Sequence, residues 1–242
     1  MELETQFMFG DDILVCPKLT EPAEEETFLG GHGSAETRFL ITCYLPRKDA
    51  GYEAFWYFWY DGVAEEGSTN QFFTRELPDE HQGIWVRGGS IIPILKFEDA
   101  SSLLDVIDND VSLRVYLDYH QQADGHLYLD DGESQRYRSD LDYVSVDYKY
   151  EGDTLKVKDR EGYNGSTTKI ISSVTIYGVK TEPSGVQNLY DPTQHVQFTY
   201  NDENKSLLLE GFEIPVDCGL AAHGSYTDLL KLTYPSAQEI LL

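Results

Sequence analysis

Basic residues are scarce in this chain. Its 242 residues hold 18 Lys and Arg against 43 Asp and Glu, a formal net charge of −25. Phosphate backbones and anionic membrane surfaces repel such a chain, which argues against nucleic acid as a partner. Polycations, calcium and neutral sugars stay open as partner classes. Cysteine is nearly missing: Cys16, Cys43 and Cys218 are an odd number, far apart in sequence. That excludes a disulfide framework and a zinc site. Their apolar neighbours favour buried free thiols, with room for one bridge. No apolar run nears the roughly 20 residues of a membrane span, and the N-terminus shows no charged-then-apolar secretory pattern. A nucleophile elbow, a phosphate-binding loop and a dinucleotide fingerprint are all missing. Of the six histidines, no two stand at a metal-ligand spacing on one element. Long amphipathic helices and internal repeats are likewise missing.

What is present is strand-forming. Hydrophobic residues make up 40% and aromatics 13%, with 17 Tyr and 11 Phe. That exceeds what a disordered chain carries, and Tyr, Phe, Val, Ile and Thr favour strands. The chain is organised around residues 84–95, Ile-Trp-Val-Arg-Gly-Gly-Ser-Ile-Ile-Pro-Ile-Leu. Two β-branched-rich runs flank Gly88 and Gly89, which reads as strand, sharp bend, strand. Pro93 cannot donate to a ladder, so the second run is an edge strand or leaves its sheet there.

Before this stretch lie strand patterns at 13–16, 39–45 and 71–77, with an acidic, Gly-rich loop over 20–38. After it, 96–110 turns polar, and a boundary is expected there. Beyond 111, short strand patterns recur with turns at Ala123-Asp124-Gly125, Glu151-Gly152-Asp153 and Tyr200-Asn201-Asp202-Glu203. The spacing predicts an all-β chain of two consecutive antiparallel β-sandwich domains, residues 1–98 and 111–242.

Three features invite chemistry. Asp130-Asp131-Gly132-Glu133 offers carboxylates to calcium, but not at the alternating positions of a helix–loop–helix calcium site. The competing reading, and the expectation, is a turn whose Asp side chains cap backbone N–H groups, with Gly132 at positive φ. As a glycosidase pair, Asp130 and Asp131 would point opposite ways on a strand. The aromatic run over 55–60 suits sugar stacking. On a strand, however, at most three rings share a face, and packing on both sides is expected. Finally, Asn164-Gly165-Ser166 and Asn204-Lys205-Ser206 are N-glycosylation sequons in turn-like segments. The alternative function is a free-standing carbohydrate- or calcium-binding β-sandwich module that uses the aromatic run and the Asp130/Asp131 loop.

Four landmarks in order resemble glycoside hydrolase family 31, the α-glucosidases. Residues 6–17, Gln-Phe-Met-Phe-Gly-Asp-Asp-Ile-Leu-Val-Cys-Pro, look like the segment that leaves that family's catalytic barrel. Tyr44-Leu45-Pro46 and Trp59-Tyr60-Asp61 resemble its YLP and WYD stretch. Residues 84–93, Ile-Trp-Val-Arg-Gly-Gly-Ser-Ile-Ile-Pro, resemble its PVFVRGGSIIP stretch. Residues 127–134, Leu-Tyr-Leu-Asp-Asp-Gly-Glu-Ser, are similar to its LYLDDGES. The acidic loop over 20–38 and the lengthened, aromatic-rich 47–58 depart from the family pattern. The resemblance implies the region after the catalytic (β/α)8 barrel: a proximal sandwich, then a distal one. The family's paired catalytic Asp residues would lie upstream, so no catalytic, cofactor-binding or metal-ligating residue is assigned here, and no cofactor is expected. The expectation is a non-catalytic part, without a barrel, of an enzyme that hydrolyses terminal α-linked glucose with retention. Its partner would be the parent's barrel. A glucosidase II-like parent would add a regulatory subunit and a place in the endoplasmic-reticulum lumen. Lysosomal, intestinal and microbial α-glucosidases are the other kinds implied.

Overall fold

The computed structural model describes residues 4–19, 38–47, 55–65, 70–96, 106, 109–159, 165, 167–218 and 225–235. Most of the acidic loop over 20–38, the turn at 48–53 and Asn164 lie outside the described residues. The chain is all-β with very little helix among the described residues, its sheets arranged as sandwiches approaching barrels. It divides into two compact units, Met1–Gly88 and Gly89–Leu242.

The first unit has a four-stranded antiparallel sheet and a two-stranded ribbon. Its strands in chain order are β1 (Phe7–Phe9), β2 (Ile13–Cys16), β3 (Arg38–Leu45), β4 (Trp56–Phe58), β5 (Gln71–Pro78) and β6 (Gly83–Arg87). The sheet order is β1-β2-β6-β4, and β3 pairs β5 in the ribbon. Strand alternation sets what is buried: on β3, Ile41, Cys43 and Leu45 point inward while Leu40 and Thr42 face water. These join Leu14, Cys16, Trp56, Phe58, Leu77 and Trp85 in one core. Cys16 and Cys43 are bridged, with Cα atoms 6.3 Å apart. This corrects the expectation of free thiols for both. β2 and β3 bring together in space two residues that the sequence holds 27 apart. Cys218 is free.

The second unit holds β7 (Ser90–Leu95), β8 (Val111–Tyr116), β9 (Ala123–Leu129), the helix α1 (Arg136–Ser139), β10 (Val144–Glu151), β11 (Thr154–Asp159) and β12 (Ile170–Tyr177). Then follow β13 (Gly185–Asn188), β14 (Gln197–Asn201), β15 (Ser206–Glu210), β16 (Ile214–Pro215) and β17 (Thr227–Thr233). One continuous sheet runs β13-β17-β11-β10-β9-β7-β8-β12-β15-β14, with β16 also pairing β12. Most pairs are antiparallel; β8–β12 and β7–β9 are parallel. The inward faces supply a core of Val, Leu and Ile with Tyr148 and Tyr150 among them. Burial of this area is the main favourable term, at roughly 25 cal/mol per Å² of apolar surface removed from water.

The organising stretch forms strand, bend, strand as its residues predict, and Gly89 sits at φ +95°. The two strands do not pair with each other. Gly88 N–H donates to Phe55 O within the first unit, and Gly89 N–H to Tyr116 O within the second, each at 2.7 Å. The division between the compact units therefore falls at Gly88/Gly89. The expected domains 1–98 and 111–242 are cut elsewhere because 90–95 pairs with β8 along its whole length. β7 pairs β9 only at Ser90–Asp124, so at Pro93 its ladder partner among the described residues is β8 alone, a local edge of the kind expected for a residue with no N–H to donate. The turn expected at 123–125 is strand β9 instead, and the chain reverses at 118–122, where Gln121 has φ 59°.

Candidate functional site

The Asp130 loop follows β9 and precedes α1. Asp130 Oδ1 accepts the Gly132 N–H at 2.9 Å, and Asp131 Oδ1 accepts those of Glu133 at 3.2 Å and Ser134 at 2.9 Å. Ser134 Oγ–H donates to Asp131 Oδ2 at 2.6 Å, and Tyr128 O–H to Asp130 Oδ2 at 3.1 Å. Gly132 has φ +66°. Hydrogen bonds from the Ser134 hydroxyl and from the Ser134 and Glu133 amides hold the Asp131 carboxyl below its ordinary pKa. Each Asp thus caps the backbone of its own turn, as the turn reading expected. A 190 Å3 cavity beside the loop is lined by Asp130, Asp131, Asp142, Tyr143 and Lys169, among others. Its charges have protein partners: Arg136 pairs Asp142 at 2.6 Å, and Lys169 Nζ donates to Asn109 O at 2.9 Å. No group of His, Cys, Asp or Glu among the described residues is arranged to hold a metal.

The aromatic run is divided by burial. Trp56, Tyr57 and Phe58 are all buried, Trp56 completely, so β4 has both faces covered and offers no platform to a sugar ring. Trp56 Nε1 donates to Pro46 O at 3.0 Å. Beyond the strand, the exposed Tyr60 stacks on His81 with ring centroids 3.8 Å apart. The Asp61 of the WYD stretch pairs with Arg75, as does Glu65. Arg75 lies over the Phe58 ring at 3.9 Å, and Trp85 Nε1 donates to Glu65 at 3.4 Å. That motif therefore ties β4, β5 and β6 together around one guanidinium. Sequence reasoning missed Arg75, because its partners come from two other elements.

It also missed a trio on the outward face of β9 and β10. Ser145 Oγ lies 3.5 Å from His126 Nε2, and His126 Nδ1 lies 3.1 Å from Asp147 Oδ1. The cross-strand register puts His126 directly opposite Asp147. Hydroxyl, imidazole and carboxylate in this order suggest acyl transfer, which also needs N–H donors converging on a developing oxyanion. In a sheet those N–H groups lie in its plane and pair along the ladder. Ser145 is moreover only 6% exposed. The trio is a cross-strand polar cluster.

Fold and motif geometry together define an all-β region whose signature residues bond within its own turns and strands. The glycosyl hydrolase family 31 C-terminal domain matches residues 1–92. An uncharacterized family 31 glucosidase of Schizosaccharomyces pombe is 32% identical over 211 residues, covering 87% of this chain and 18% of that protein. An α-glucosidase of the same yeast is 26% identical over 238 residues, covering 96% of this chain and 21% of its own length. A crystal structure of ER glucosidase II, its catalytic subunit in complex with the binding domain of the regulatory subunit, superposes with a TM-score of 0.67. It is 17% identical in sequence, over 96% of this chain and 24% of that one. The chain belongs to glycoside hydrolase family 31, matching the C-terminal region of its members, and spans about a fifth of the length of these relatives.

Proposed function

We propose that this chain is the non-catalytic C-terminal β-sandwich part of an α-glucosidase-like hydrolase, and that it buttresses the catalytic barrel of its parent. The parent reaction is retaining hydrolysis of terminal α-linked glucose through a covalent glycosyl-enzyme. The observation that carries this reading is the extent of the match: nearly the whole chain aligns, but with about a fifth of an α-glucosidase. The exposed apolar side chains of the first unit support it. Phe9 is 69% and Leu40 67% exposed, with Phe7 and Phe72 also open to water. Gln6 joins these elements, its carboxamide bonding both the N–H and the C=O of Tyr44. Apolar exposure of this kind suits a surface that another domain covers. In a glucosidase II-like parent a regulatory subunit would be a second partner; the likeness in fold to that complex supports the reading.

The test is an assay of the purified 242-residue chain on p-nitrophenyl α-glucoside. No turnover above a buffer blank is expected. Turnover that survives repurification would overturn the proposal, and its loss in Asp130→Asn/Asp131→Asn would locate an active site in the loop described above as structural.

A further inference from the structure

The second sequon, Asn204-Lys205-Ser206, closes the hairpin between β14 and β15, where Asn201 pairs with Ser206. The turn is pinned from several sides. Asn201 Oδ1 accepts the Glu203 N–H at 2.9 Å, Lys205 Nζ pairs with Asp202 at 2.5 Å, and Lys205 O accepts the N–H groups of Gly178 and Val179 at 3.0 Å each. Lys205 takes φ 51°, and Asp202, Glu203 and Lys205 are exposed around the half-buried Asn204. Within the sequon, Ser206 Oγ–H donates to Asn204 Oδ1 at 2.7 Å. The two side chains on which sequon chemistry depends thus face each other across this turn. With Oδ1 turned to Ser206, the amide nitrogen occupies the other branch of the carboxamide.

A second, independent observation concerns compartment. The Cys16–Cys43 bridge lies in the core of the first unit, and such bridges form and persist where the environment is oxidising. That is the environment of the secretory route, where N-glycans are attached.

We infer that Asn204 is a site of N-linked glycosylation. The co-reactant is an oligosaccharide joined through a pyrophosphate to a lipid. Asn204 Nδ2 attacks the first sugar carbon; the new C–N bond forms as the carbon–oxygen bond to the pyrophosphate breaks. The lipid pyrophosphate leaves with the bonding pair, and Nδ2 loses one proton. The hairpin lies at the β14 end of the second unit's sheet, so a glycan at its tip would stand at that end of the strand order. The inference does not rest on the glycosidase reading.

The full chain, directed into the secretory pathway of a eukaryotic cell, provides the test. Membrane-associated and secreted fractions are digested, and the peptide over Asn204 is read by mass spectrometry after enzymatic deglycosylation in heavy-oxygen water. Conversion of Asn204 to heavy-oxygen Asp is expected. On gels, Asn204→Gln and Ser206→Ala should each remove one glycan step, and Ser206→Thr should retain it. An Asn204 peptide found unmodified overturns the inference. So does a glycan step abolished by Asn164→Gln alone, which would place the sugar on the other sequon.

Discussion

Gly125 has no room for a side chain. A Cβ built there would lie 2.1 Å from Ile91 O and 2.8 Å from Ile91 Cβ, so β9 and β7 approach as closely as they do only because this position is bare. Gly89 differs: its φ of +95° strains any other residue, yet the nearest atom to an added Cβ is 3.5 Å away. Gly88 has no positive φ. Gly89→Ala should therefore cost about 1 kcal/mol or somewhat more, the left-handed backbone penalty. Gly125→Ala should cost about 3 kcal/mol or more, because backbone must move. Denaturant midpoints check the order, and a Gly125→Ala chain as stable as Gly89→Ala would refute the close approach. Three aspartates contribute to the acid response. Asp131, Asp191 and Asp202 are held below the ordinary value of 3.8, first by side-chain hydrogen bonds from Ser134, Thr193 and Lys205 respectively. A depressed folded pKa gives stability that is fully present above the unfolded value and lost as pH falls through the folded one. Melting temperature should thus decline below about pH 4, and Asp131→Asn should make that decline shallower. An unchanged slope would show that the Ser134 bonds contribute nothing to the response.

At the scale of elements, the first unit depends on connections that no single strand contains. The bridge joins β2 of the sheet to β3 of the ribbon across a separation of 27 residues. By loop-closure entropy such a link stabilises by about 3.5 kcal/mol. Cys43→Ala should lower the melting temperature of the first unit. Alkylation under non-reducing denaturing conditions should label one cysteine per chain, Cys218. Labelling of all three would mean that the bridge does not form. Strand patterns were legible at this scale because inward and outward positions alternate with period two. Helix α1 and the reversal at 118–122 were not: α1 is a four-residue helix with no buried residue and so no apolar periodicity, and the reversal puts Gln121, not a glycine, at positive φ. The Asp130 turn was read correctly from its Asp and Gly residues, because that chemistry is local: the side chains cap amides two or three residues on.

For the whole molecule, charge and apolar exposure oppose each other. The net charge of −25 keeps copies apart, while Phe7, Phe9, Leu40 and Phe72 stand open on the first unit. Salt shortens the reach of the charges, to roughly 3 Å at 1 M, and leaves the apolar attraction in place. The chain should bind a hydrophobic dye and self-associate more as salt is raised, followed by light scattering. Residues 89–242 alone, the second compact unit, should do neither if the exposed face of the first unit is responsible. A monomer at high salt without dye binding would show that these side chains are not an open face.

The sequence by itself determined the fold class, the strand periodicity, the bend at Gly89 and the family. Each is written in local residue order, in alternation, turn chemistry and motif succession. Tertiary structure decided what depends on residues distant in sequence. It gave 90–95 to the second unit, because a ladder to β8 is a pairing that no local pattern specifies. It joined Cys16 to Cys43 and gathered Asp61 and Glu65 around Arg75. It also buried the start of the aromatic run, because the exposure of a ring depends on what the rest of the chain places against it.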